Sequence, residues 1–294
     1  MRFENVLRVG VWLLLPAIWS INASAQTSVN EKRAAAADGA IAIDIPSGTL
    51  DIKGWANQEL QVMGTVTPPE AKVLISGDAR NLQITLTPQQ NTLVSAHLEI
   101  HVPAGCTLRV KGVKTGIHAS GVTGTVAAES AEGDIIVSDT ATVELQTVTG
   151  KIELSGSGQR ASVHAVNGSI SVKSGTGDIS ASSVGGPIVV SGDKFSHVRL
   201  STVTGSAEFD GKLGATASLS AESVSGTVKV VLPSGTGADV ALSTMSGKIE
   251  GQLDNADKLE RSLGPKQRVA FSIGGGGAKV AVQTLSGAIV LVKR

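Results

Sequence analysis

The stretch STVTGSAEF, residues Ser201 to Phe209, sets a branched apolar residue, one spacer and a glycine ahead of an alternating apolar run. The phrase recurs as QTVTGKIEL, HAVNGSISV, SSVGGPIVV, AESVSGTVKV, STMSGKIEG and QTLSGAIVL. Its glycines are Gly116, Gly133, Gly150, Gly168, Gly186, Gly205, Gly226, Gly247 and Gly287, spaced by 17, 17, 18, 18, 19, 21, 21 and 40 residues. The last interval reads as two periods with one phrase eroded. A fixed period of ~20 residues is the mark of a solenoid, whose repeats bury their apolar sides only by stacking on one another.

Each period holds two short strands, and alternation tells their faces apart, because residues two apart point the same way. After the glycines, Ile135/Val137, Ile152/Leu154, Ile170/Val172, Ile188/Val190, Ala207/Phe209 and Val228/Val230 share one parity. In the second strand family Val143/Leu145, Val163/Ala165, Ile179/Ala181, Val198/Leu200, Leu219/Ala221, Val240/Leu242 and Val280/Val282 do the same. The opposite parity is Lys, Glu, Ser, Thr and Asp. These patterns predict an all-β chain whose residues 117–294 form a parallel β-solenoid, a single-stranded β-helix. A right-handed coil is expected, since crossovers between parallel strands are right-handed. The recurring glycine sits where the chain turns from one face to the next, where positive φ or a tight corner is easiest for a residue without Cβ. Residues 252–267, QLDNADKLERSLGPKQ, break the pattern and read as an inserted loop or short helix. Residues 40–116 hold longer, less regular strands and read as an N-terminal β cap. Residues 26–39 read as a flexible leader.

The first 25 residues carry Arg2 and Arg8, an apolar run from Val9 to Ile21, and small residues Ala23 and Ala25. That is the pattern of a secretory signal peptide cut between Ala25 and Gln26. Without Arg2, Arg8 and Glu4, 23 basic and 24 acidic residues remain. Such a balance gives no electrostatic footprint for nucleic acid. No later segment reads as a transmembrane span. Cys106 is the single cysteine, so an exported chain would have no internal disulfide. Beyond the leader the aromatics are Trp55, Phe195, Phe209 and Phe271. The core must be built from small and β-branched aliphatics, which favour strands.

The irregular front GTLDIKGW, the Val102-Pro103-Ala104-Gly105 hinge and the closing LSGAIVLVKR resemble the bacterial "putative adhesin" family of β-strand-repeat proteins, a domain of unknown function. The resemblance implies a β-helix-like fold and an extracytoplasmic, envelope-associated location. It supplies no catalytic residues.

Residue by residue, the chemistry is thin. There is no G-x-S-x-G, Walker loop, C-x-x-C or H-E-x-x-H motif. His97, Glu99 and His101 share one face of a strand and could hold a divalent ion, or be the wet face of an ordinary strand. Register counting places Glu144, His164, Ser180 and Arg199 in one outward column, which invites a triad reading but is flat and exposed. Asp134 precedes Lys151 and Ser169 on successive coils, and Asp178 precedes His197, so no acidic ladder forms for sugar chemistry. The sequence therefore assigns no catalytic, cofactor or metal residue. It points to an exported, periplasmic or surface-associated envelope protein with an adhesin-like or structural role, whose partners would be envelope or surface glycans or proteins. Two alternatives stand beside it. One is a polysaccharide lyase or hydrolase on a β-helix. The other is a scaffold that self-associates through the solenoid ends, with the edge after Leu291-Val292 open.

Overall fold

The computed structural model describes residues 26–87, 93–156, 158–174, 177–251, 260–261 and 266–294. The expected signal peptide lies outside them, as does most of the 252–267 insertion. Every regular element among the described residues is a strand.

The front holds β1 (Thr27–Ala34), β2 (Ala40–Asp44), β3 (Ser47–Trp55), β4 (Glu59–Thr67), β5 (Lys72–Asp78), β6 (Asn81–Thr87), β7 (Ser95–Pro103), β8 (Thr107–Gly112) and β9 (Lys114–Ser120). The regular middle runs through β10 (Thr125–Ser130), β11 (Ile135–Ser138), β12 (Thr142–Thr147), β13 (Ile152–Ser155), β14 (Arg160–Ala165), β15 (Ile170–Ser174) and β16 (Gly177–Ser183). Two long bent strands follow, β17 (Ile188–Thr202) and β18 (Ala207–Ser223). The far end is β19 (Val228–Leu232), β20 (Ala238–Thr244), β21 (Ile249–Gly251), β22 (Glu260–Arg261), β23 (Gln267–Ile273), β24 (Ala278–Thr284) and β25 (Ile289–Lys293).

These strands build two walls of parallel ladders around one narrow core. The first wall stacks β6, β2, β8, β10, β12, β14, β16, the second halves of β17 and β18, then β24 and β20. The second stacks β7, β3, β9, β11, β13, β15, the first halves of β17 and β18, then β19, β25 and β21. The parallel β-solenoid expected from the repeat is the observed fold. Every aliphatic of the two buried parities named above is buried. Phe195 and Phe209 are both buried in the core, their rings 5.5 Å apart and tilted by 58°.

The coils do not stack in chain order at either end. The first coil, β2–β3, sits between β6–β7 and β8–β9, and the last, β24–β25, sits between β18–β19 and β20–β21. Antiparallel strands close the stack: β5 on β6, β4 on β7 with β1 outside it, and β23 on β20 with β22 outside it.

Several expectations change here. Residues 27–34 are not a loose leader, because all eight pair with β4. The 40-residue interval to Gly287 is not an eroded coil, since part of it forms the antiparallel cap β22–β23. The strand through Leu291 and Val292 is not an open edge. It is sandwiched between β19 and β21, and beyond it Arg294 donates its backbone N–H to Leu232 and its guanidinium to Asp210, 3.1 Å away.

The repeated phrase now has a physical account. From the Gly133 phrase onward, the residue before its apolar position is a buried Ser or Thr, except in the Gly168 phrase, where it is Ala165. The hydroxyls of Ser130, Thr147, Ser183 and Thr244 accept from the backbone N–H of Gly133, Gly150, Gly186 and Gly247 at 2.9–3.1 Å. Thr202, Ser223 and Thr284 instead donate to the carbonyls of Gly205, Gly226 and Gly287. Each of these seven corners is thus a local hydroxyl-to-backbone turn with its buried polar group satisfied. The glycines do not have positive φ. They stack, each pressed on the carbonyl of the glycine one layer below, as Gly150 on Gly133, Gly168 on Gly150 and Gly186 on Gly168, and a Cβ there would overlap that oxygen. Gly116 falls outside the column, because Thr115 takes the place beneath Gly133.

Candidate functional site

The expected His97, Glu99 and His101 do share the outward face of β7, and register with β3 sets Thr49, Asp51 and Lys53 beside them. Most of the group is partnered within itself, the buried His101 Nδ1 being the atom left without a hydrogen bond. His97 Nδ1 is 2.8 Å from Thr49 Oγ1, Lys53 donates to Glu99 at 2.7 Å, and His101 Nε2 is 3.4 Å from the same carboxylate. The His101 ring stacks on Trp55 at 4.9 Å. The hydrogen bond and charge of Lys53 hold the Glu99 carboxyl below its ordinary value, and Glu99 in turn raises the ammonium. Lys53 therefore stands where a divalent ion would compete for Glu99. Among the described residues no group of three or more His, Cys, Asp or Glu has a metal-holding arrangement.

The expected outward column is corrected by the register. Glu144 stacks on Ser162, Ser180 and Arg199, whereas His164 belongs to the next column, between Gln146 and Ser182. Its Nδ1 lies 2.7 Å from Ser182 Oγ, while Glu144 accepts from Gln146 at 3.2 Å and Arg199 reaches Glu222 at 3.4 Å. No acid–imidazole–hydroxyl relay runs through these atoms. The strand N–H groups beside them are spent in the parallel ladders, so the wall offers no donor pair for an oxyanion. Asp134, Lys151 and Ser169 do follow one another, Asp134 accepting from the Lys151 N–H at 2.8 Å. Asp178 and His197 are cross-coil neighbours at 2.9 Å, both solvent-exposed. Cys106 is fully buried, and burial pushes its thiol up to about 11.

What the residue-by-residue search missed is apolar. The apolar residue ahead of each glycine lies at the surface, partly buried at Ala131 and Val166, and successive ones stack into a ladder along one corner. Val113, Ala131, Val148 and Val166 lead to Val184, and backbone bonds such as Val148 N to Ala131 O and Val184 N to Val166 O tie the rungs. Val203, Val224, Leu285 and Met245 continue it, with Leu285 N on Ser223 O and Met245 N on Leu285 O. Seven of these rungs are 40–52 % exposed. The signal was present in the parity: Val148 is an odd number of residues from buried Leu145. At the far end the ladder borders an open groove of about 400 Å³, with Val224, Met245 and Leu285 on its apolar side and Glu222 and Lys266 on its polar side.

Residues 39–291 match the family model described as Toastrack DUF4097. Two solved structures are similar to the chain. A "putative adhesin" from Bacteroides fragilis NCTC 9343 is 13% identical, covering 91% of this chain and 98% of its own, with a TM-score of 0.47. A "putative cell adhesion protein" from Clostridium sporogenes ATCC 15579 is 10% identical, covering 91% and 100%, with a TM-score of 0.26. No curated protein matches the chain.

Proposed function

The chain belongs to the Toastrack DUF4097 family, and on that premise we propose that it is an exported, non-catalytic β-solenoid of the bacterial cell envelope that makes adhesin-like contacts through its outward columns. One observation carries the reading. The polar residues that could have done chemistry pair with partners on the adjacent coil, as in Lys53–Glu99, His164–Ser182 and His197–Asp178. Of these only His164–Ser182 sets an imidazole against a hydroxyl, and no carboxylate is hydrogen-bonded to that imidazole to complete a triad. The apolar leader at residues 9–21 supports export to the periplasm or cell surface.

The test is to screen the purified protein on polysaccharides, with and without calcium or zinc, while measuring its binding to cell-wall material. Binding without turnover is expected, surviving Asp178→Ala and Glu144→Gln. Glycan turnover lost in either variant would establish the sugar-active alternative in its place.

A further inference from the structure

One corner of the solenoid departs from the rest in two ways at once. The hydroxyl that serves the phrase glycine at seven corners is missing at Gly168, where register puts Ala165 between Thr147 and Ser183. The spacer before that glycine is Asn167, and Asn167-Gly168 is the single Asn-Gly pair in the sequence. At the equivalent place Thr149, Thr204, Ser225, Ser246 and Ser286 each donate a hydroxyl to a carbonyl of the neighbouring coil. Among the described residues the Asn167 side-chain amide has no such partner.

The peptide joining Asn167 to Gly168 is held by no hydrogen bond. Asn167 is anchored on its other side, where its N–H donates to Val148 O at 2.7 Å and Val166 O accepts from both Val184 and Gly185. Among the described residues nothing accepts from the Gly168 N–H or donates to the Asn167 carbonyl. At Gly150 and Gly186, by contrast, the same N–H is bound to Thr147 and Ser183. The Asn167 side chain is exposed, and its Oδ1 lies beside Gly185, where a Cβ would stand 3.0 Å from it. Gly168 carries no side chain to shield its own nitrogen.

We propose that Asn167 is a self-modification site, at which the chain converts its own amide to aspartyl and isoaspartyl residues in water. The Gly168 nitrogen gives its proton to solvent base and bonds to Asn167 Cγ. The bond from Cγ to Nδ2 breaks, and Nδ2 takes a proton from water and leaves as ammonia. Water then opens the succinimide ring at either carbonyl. Breaking the new bond restores the backbone with an aspartate in place of the amide. Breaking the original peptide bond routes the main chain through Cγ and makes it one carbon longer. The two products meet the fold differently. Aspartate sets a carboxylate beside Gly185. Isoaspartate lengthens the corner in a column where Gly168 presses on Gly150 and Gly186 on Gly168, with no room for an added carbon. Each isoaspartyl conversion therefore loosens the stack at this coil.

Timed incubation of the purified protein well below its melting point, followed by tryptic digestion and mass spectrometry, reads the reaction in the fragment Ala161–Lys173, which holds no other side-chain amide. Aspartyl and isoaspartyl forms of that fragment should accumulate, faster at higher pH because the nitrogen must lose its proton, while Asn30 and Asn81 remain amides. Ala165→Ser supplies the absent hydroxyl where Ser183 already fits on the next coil, and should slow the reaction about fivefold, the worth of one hydrogen bond. Ala165→Thr, matching Thr147 on the coil below, is the second variant, and the melting temperature of each checks that it folds. Asn167→Gln should stop the reaction, since the ring it would close is larger. Isoaspartyl-rich protein should show an added, lower-melting transition. An amide still intact in the native protein after the free peptide of residues 161–173 has converted would overturn the proposal. So would a rate indifferent to both Ala165 variants. A rate that rises with sub-denaturing urea in step with the unfolded fraction would overturn it too, by placing the reaction in the unfolded chain alone.

Discussion

Replacing Gly186 with alanine isolates the packing that sets the coil spacing. The new Cβ would lie 2.6 Å from the carbonyl carbon of Gly168, closer still to its oxygen, and 3.0 Å from Asn167 O. All three are backbone atoms of the coil below, so no side chain can swing aside. Relief requires the two layers to part locally by about 1 Å, enough to break bonds near their optimum length. Three backbone bonds span that corner between the two coils: Gly185 N to Val166 O at 2.8 Å, Val184 N to Val166 O at 3.1 Å and Ile170 N to Pro187 O at 2.9 Å. At ~1 kcal/mol each, losing them costs about 3 kcal/mol. For a domain of this size that is a fall in Tm of roughly 6–12 °C. Gly214→Ala is the control. Its Cβ would meet nothing nearer than Phe195 O at 3.7 Å, and removing freedom from the unfolded chain should leave stability unchanged or raised by up to about 1 kcal/mol. Thermal and urea unfolding read both variants. A Gly186→Ala protein within 0.5 °C of the parent would refute the stacking argument.

Val198→Asp puts an unpaired charge in a dry column and should abolish or severely destabilise the fold, whereas Ser220→Asp on the wet face should melt with the parent. Phe209→Ala should cost about 3–5 kcal/mol in chemical denaturation, since it removes a fully buried ring that packs on Phe195. Cys106 should resist alkylation at pH 8 in the native protein and react at the rate of unfolding. Its folded thiol titrates above its ordinary 9.0, so the stability it contributes is full below pH 9 and declines as pH rises toward 11. The lowered carboxyl of Glu99 works in the opposite direction. Its contribution is present above its ordinary value of 4.5 and fades as pH falls below it, an effect that Glu99→Gln should erase from the acid limb of the stability profile.

The buried columns were legible because alternation is a local property: Ile152 and Leu154 point inward whatever lies above them. Register was harder. Glu144 stacks on Ser162, 18 residues on, the same step that separates Gly150 from Gly168. Counting instead to His164 skips the turn that sets the spacing. The neighbours of His97, Glu99 and His101 could not be read at all. Thr49 and Lys53 come from a coil written earlier, separated by strands that fold outside it. The corner ladder was written in every phrase, yet an apolar residue beside a glycine looks the same whether the corner turns it in or out.

The interleaved ends make the order of synthesis matter. As the chain emerges, β10 to β18 can each settle on the coil before. The coil β20–β21 has no seat when it appears, because the layer it rests on, β24–β25, is written afterwards. Some 40 residues separate Gly247 from Gly287, so the penultimate coil keeps its apolar side uncovered until that length of chain has followed it. The first coil meets the mirror of this problem, since β6–β7 must close over it from outside. Once both are seated, an end coil that lifts away remains tethered through the layer beneath it. Unravelling from the tips, the usual weakness of stacked repeats, then gives way to a loss of structure that involves two layers at once.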